Sequence, residues 1–110
     1  MAITHIVLFA WKDTATQEQV DEACKRMMSL SERCIHPTSK APYIKSFQGG
    51  KNNSPEGHAA PHTHGFVVEF ENEEDRDYYL NKDPEHLAFV EFAGDFIGGV
   101  KVLDFEPGKF

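Results

Sequence analysis

The chain is short of positive charge, short of cysteine and without a long apolar run, and each shortage removes a class of function. Its 11 Lys and Arg stand against 18 Asp and Glu, giving a net charge of -7 and an isoelectric point near 5.2. A nucleic-acid backbone or an anionic membrane surface would require a basic face, so neither is an expected partner. No apolar run approaches the ~20 residues of a membrane-spanning helix. No basic segment precedes a cleavable apolar stretch, so a mature chain starting at Met1 and a cytoplasmic location are expected. Cys24 and Cys34 fall on what reads as one helix, roughly 15 Å apart at ~1.5 Å per residue, too far to bridge within it. They are expected as reduced thiols used in packing.

What is there suffices for one domain over residues 1–110, since 110 residues with 40% apolar content supply one modest core. Ile3 to Trp11 is almost continuously apolar and β-branched or aromatic, which predicts a strand. Both of its faces are apolar. Thr16 with Gln19 makes a capping box, and Val20, Ala23, Cys24, Met27, Ser31, Cys34 and Ile35 form the buried stripe of a long helix that Pro37 stops. Tyr43 to Phe47 reads as a short second strand. Gly49 to Pro61 is dense in turn-formers and reads as a long loop, either disordered or a lid. His62 to Glu71 is the third strand, with His62, His64, Phe66, Val68 and Phe70 on one face by the two-residue repeat. Asn72 opens a helix carrying Tyr78, Tyr79 and Leu80, a further helix follows from Asp83, Gly98-Gly99 breaks it, and Val100 to Phe105 is the last strand.

This order is the split β-α-β arrangement of an α+β, ferredoxin-like fold: an antiparallel four-stranded sheet with its helices on one face. The first strand has no water-tolerant side. Ile6, Leu8 and Val67 belong to the uncovered face or, with the opposite parity, to the helix-covered one; in either case a bare apolar face remains, and covering it with a second copy predicts a homodimer.

The most informative stretch for chemistry is Asp83-Pro84-Glu85-His86-Leu87-Ala88-Phe89. Asp83 suits the N-cap, Pro84 the first helical position and Glu85 the positive end of the helix dipole. His86 then lies in a first turn whose dipole favours the neutral imidazole, a form able to accept a proton. It is either a general base or an ordinary helix start. The helix returning along the third strand is expected to bring His86 near His64, with His5 several residues from that corner. Met27 can line a pocket or fill the core. His62 and His64 alone are too few ligands for a metal, and no metal or cofactor is assigned.

His5-Ile6-Val7-Leu8-Phe9 with Lys12-Asp13, Thr63-His64, Tyr79, the Asp83-to-Phe89 segment and Val102-Leu103-Asp104-Phe105 together resemble the stress-responsive A/B-barrel (dimeric α/β-barrel) family. The resemblance runs over nearly the whole chain, and Pro-x-His-x-x-Phe is its most specific part. It implies ferredoxin-like protomers whose sheets join into a barrel at a dimer interface. The family includes a plant polyketide cyclase in which a histidine of that segment and a tyrosine drive an aldol-type ring closure. By this resemblance His86 is the base, Tyr79 or His64 the donor to the developing oxyanion, and His5 a further pocket histidine. In the cyclase pattern the tyrosine lies six residues before the base, a position held here by Leu80, and another cyclase tyrosine is replaced by Met27. The pocket implied by this arrangement is lined by His5, Val7, Phe9, Met27, Phe66, Val68 and Phe89, and it suits a small apolar or aromatic, polyketide-like ligand with cyclase or lyase chemistry. The family also includes plant stress-tolerance proteins that assemble into robust oligomers, so a non-catalytic protective oligomer is the alternative function.

Overall fold

A computed structural model describes residues 2–110. Ile3–Trp11 forms the first strand (β1), as its β-branched and aromatic content predicts. Thr16 caps the first helix (α1, Gln17–Arg33): its hydroxyl accepts from the Gln19 N–H at 3.2 Å, and its own N–H donates to Gln19 Oε1 at 2.9 Å. The helix ends at Arg33, short of Pro37, because Cys34 adopts extended backbone and Ile35 pairs with Pro42 in an isolated bridge.

The second strand (β2, Ile44–Lys51) is longer than the Tyr43–Phe47 expected. Gly49, Gly50 and Lys51 continue the ladder opposite Phe66, Gly65 and His64. A Cβ on Gly49 would stand 2.2 Å from the Phe66 ring, so bare backbone is what allows that ring to lie across the strand. The connecting loop therefore begins after Lys51 rather than at Gly49. It is tied at its base, where the Asn52 N–H donates to the Thr63 carbonyl at 2.7 Å and the Thr63 N–H to the Phe9 carbonyl at 2.9 Å. The third strand (β3) is His64–Phe70. His62 stays outside it, in a turn where its N–H donates to the Ala59 carbonyl, so His62 and His64 do not share a strand face.

Asn72 caps the second helix (α2, Glu73–Asn81) by accepting from the Asp75 N–H, and Asp83 caps the third (α3, Pro84–Ala93) by accepting from the Glu85 N–H. The last strand (β4, Ile97–Phe105) starts earlier than expected. Gly98 and Gly99 lie within it, and α3 has already stopped at Gly94. Gly98 lies against the Trp11 backbone, where the β1–β4 register shifts.

The sheet order is β2-β3-β1-β4, antiparallel throughout, which is the ferredoxin-like topology. Val7, Phe9, Phe66, Val68 and Phe70 point to the helices and join Met27, Leu30, Tyr79 and Phe89 in one core. Burying an apolar side chain of this size contributes roughly 1.5–3 kcal/mol, so this face organises the fold. The opposite face has no helix over it. Ile6 and Leu8 are half-buried there, and Val67 and Leu103 are exposed, Leu103 to 63%.

Candidate functional site

A cavity of about 340 Å³ opens between the sheet and α3. Its walls are apolar: Val7, Phe9 and Val102 from the sheet, Met27 from α1, Phe89 and Val90 from α3. Its polar groups are His5, Tyr79 and His86.

These three come together because of a break in the chain. Lys82 and Asp83 both donate their N–H to the Tyr78 carbonyl, ending α2, and Asp83 at once caps α3. Its other carboxylate oxygen accepts from the Tyr43 hydroxyl at 2.6 Å, and Tyr43 stacks on Phe70, the last residue of β3. The start of α3 is thereby fixed at the Phe70 end of the sheet. His86, in the first turn of α3, lies over Tyr79 with ring centroids 4.0 Å apart and planes inclined by 26°. Tyr79 packs on Phe70 at 5.1 Å, and its ring is met edgewise by His5 at 6.1 Å. Tyr79, not the residue at the spacing of the cyclase pattern, is thus the tyrosine against His86; Leu80, which holds that position, lines the cavity wall and packs against the core.

Burial, the largest influence, holds the His86 imidazole below its ordinary value; the backbone of Tyr79 acts the other way, and His5 adds to the lowering. His86 is therefore held toward the neutral imidazole. Burial also pushes the Tyr79 phenol up, which keeps its proton in place as a donor. The Tyr79 hydroxyl and His86 Nδ1 are both buried and have no partner at full hydrogen-bond geometry, although the Tyr79 backbone lies close enough to the imidazole to raise its pKa somewhat. Such atoms cost about 1–3 kcal/mol each when left unmet.

His64 is not brought to His86. It pairs with Phe9 at the opposite end of β3 from Phe70, six residues or ~20 Å of strand away. The expected approach failed because α3, not α2, returns along the sheet. His86 begins that return rather than ending it. His64 instead accepts the Trp11 Nε1–H at 3.0 Å on Nδ1, with the Thr63 hydroxyl 2.8 Å from the same atom. Burial, followed by the charge of Lys51, lowers its pKa. Phe66 and Val68, expected in the pocket wall, are packed in the core beneath it; Met27 is both buried and a wall residue. Val100, Val102 and Ile97 of β4 were missed as wall residues, although the Val-Lys-Val alternation marks the first two as sharing a face. Asp104 and Arg76 were also missed. Asp104 accepts from His5 Nδ1 at 2.6 Å and from Arg76 Nη1 at 2.9 Å.

Among known proteins, the chain is 32% identical over 108 residues to a stress-response A/B barrel domain-containing protein of Arabidopsis thaliana, an alignment covering 96% of this chain and 89% of that one. It is 26% identical over 110 residues to olivetolic acid cyclase of Cannabis sativa, covering 99% of this chain and all of the cyclase. Among solved structures, the hydroxynitrile lyase of Passiflora edulis superposes with a TM-score of 0.80 at 22% identity, over 99% of this chain and 96% of the lyase. A protein from Thermobifida fusca described as dimeric and ferredoxin-like superposes with a TM-score of 0.72 at 24% identity, over 96% of this chain and 90% of that one. With residues 3–107 matching the profile of the stress responsive A/B barrel domain, and the ferredoxin-like sheet already in place, the chain belongs to the stress-responsive A/B barrel family.

Proposed function

We propose that the cavity binds a small apolar or aromatic ligand and that His86 takes a proton from it, in chemistry of the cyclase or lyase type. The observation that carries this reading is the pair of unmet buried atoms, the Tyr79 hydroxyl and His86 Nδ1, at the polar end of an otherwise apolar cavity. A neutral imidazole there accepts a proton from carbon next to a carbonyl, and the stacked phenol donates to the oxygen on which charge develops. Each group supplies about 2–4 kcal/mol of transition-state stabilisation in such sites. A homodimer through the bare sheet face is part of the same reading: Ile6, Val67 and Leu103 are too apolar to remain in water, and relatives of this fold are described as dimeric.

The test is a thermal-shift screen of wild type and His86→Ala against small phenolic and polyketide-like compounds. A compound that raises the wild-type midpoint, and raises the variant's far less, supports the reading and selects the substrate for a turnover assay. The absence of any such compound, together with a midpoint that falls on dilution, would favour the second reading: a non-catalytic protective oligomer whose stability is tied to assembly. That alternative draws on the bare apolar face and on the similarity to the Arabidopsis stress-response protein. Sedimentation as a monomer at micromolar concentration would remove the dimer from both.

A further inference from the structure

We infer that Asp83 is the fixed counter-charge for the imidazolium that His86 becomes on taking a proton, a positioning residue held in place by Tyr43 and Cys34. The inference rests on the reading of His86 as the proton acceptor of the cavity.

Asp83 is 1% exposed, and its carboxylate is met by donors from three parts of the chain. One oxygen accepts from the Glu85 N–H at 2.9 Å, in the first turn of α3, and the other from the Tyr43 hydroxyl at 2.6 Å, just before β2. The thiol of Cys34, fully buried at the end of α1, is in hydrogen-bond contact with the same group. Burial pushes both the thiol and the phenol up, and Asp83 pushes them further, so both keep their protons as donors.

Among the described residues, no Lys, Arg or His pairs with Asp83. A buried carboxylate is costly unless a cation offsets it. Capping does not account for the charge, since Asn or Ser caps a helix as well without burying one. The cation within reach is one that the site itself makes. His86 lies in the same turn of α3, and the charge of Asp83 acts against the burial that chiefly lowers its pKa. The other groups facing the imidazole are Tyr79 from α2, which is uncharged, and His5 from β1, whose charge opposes that of His86. The attraction of Asp83 is therefore weak while His86 is neutral and grows as the proton arrives, which favours the step rather than the bound ground state.

The ligand class follows. A C–H bond next to a ligand carbonyl breaks, its proton goes to the imidazole, and the electron pair moves onto the carbonyl oxygen, toward which the Tyr79 hydroxyl donates. A negative charge is already buried here and no Lys or Arg lines the cavity, so the ligand that fits is an uncharged ketone and not a carboxylate.

The experiment titrates the full chain by imidazole ¹⁵N NMR, with His86 assigned through His86→Gln, in wild type, Asp83→Asn and Asp83→Ser. Both substitutions keep a capping side chain and delete the charge. Each is expected to weaken proton binding at His86 roughly tenfold and to leave His64 unmoved. The direction separates positioning from loss of fold: a variant that only loosens α3 relieves burial and moves the His86 midpoint up toward 6.5, whereas loss of the counter-charge moves it down. A midpoint unchanged or raised in both variants overturns the inference. In parallel, exchange of the methyl protons of 2-acetylnaphthalene in D2O is expected to be several-fold slower in both variants than in wild type, and competition by 2-naphthoate would refute the uncharged class. If wild type exchanges no faster than His86→Gln, the reading of His86 as proton acceptor fails on its own, and the titration still decides whether Asp83 is its counter-charge.

Discussion

The helix-covered face of the sheet carries a histidine near each end of the β1–β3 pair, and the two are wired in opposite senses. His5 Nδ1 meets the acceptor Asp104, so the proton lies on Nδ1. His64 Nδ1 meets the donor Trp11 Nε1–H, so that nitrogen is the acceptor and Nε2 carries the proton. One end of the sheet is held by charged groups, the buried Asp83 and the half-buried Asp104 and Arg76; the other by an indole and a threonine hydroxyl. Two histidines that look interchangeable in the sequence thus offer a ligand opposite hydrogen-bonding character, and only the first lines the cavity.

The most severe way to break this asymmetry is to remove Asp83, which is 1% exposed and both caps α3 and accepts from Tyr43. Asp83→Ala is expected to cost about 3 kcal/mol, from a lost cap and an orphaned buried hydroxyl, and to loosen the stacking of His86 on Tyr79. Urea denaturation measures it; an unchanged midpoint would mean that α3 is placed by its apolar face alone.

A smaller effect separates the ends by pH. Because the folded state holds His86 below its ordinary value of 6.5, it binds fewer protons than the unfolded chain between that value and its own lowered pKa. Stability is therefore full above 6.5 and falls as the pH drops toward the lowered value. His86→Gln is expected to flatten this acid-side decline, and His64→Gln to flatten it less, since His64 lies nearer to solvent. Melting temperatures across pH 5 to 8 give the comparison, and equal slopes in both variants would contradict it.

The mildest change is Trp11→Phe. It deletes one hydrogen bond to His64 and is expected to cost about 1 kcal/mol. The ¹⁵N pattern of His64 should change while that of His5 stays fixed. A matching change at His5 would show that the two ends are coupled through β1.

The topology was legible because Ile3–Trp11 admits no other structure and because Thr16, Asn72 and Asp83 are unambiguous caps. The far half of β2 was hidden by Gly49 and Gly50, which have no side chain to show an alternation; the reason for Gly49 lies in Phe66, distant in the chain. Gly98 and Gly99 misled in the same way at the start of β4. In the site, His86 was marked by its helix start and Tyr79 by resemblance, but their stacking depends on the break at Lys82 and Asp83. His5 was seen without its partners. Asp104 is 99 residues from His5 and 28 from Arg76, and no local spacing connects them.

Met27, buried at 2% and forming part of the cavity wall, stands where the cyclase pattern has a tyrosine. A thioether on an unbranched stem adapts to what lies against it and offers no strong hydrogen bond. That wall therefore yields to ligand outline instead of dictating it, and discrimination falls to the polar end. A family of congeners differing in the length or branching of an apolar tail should be received alike, whereas moving one oxygen on the ring should not be forgiven.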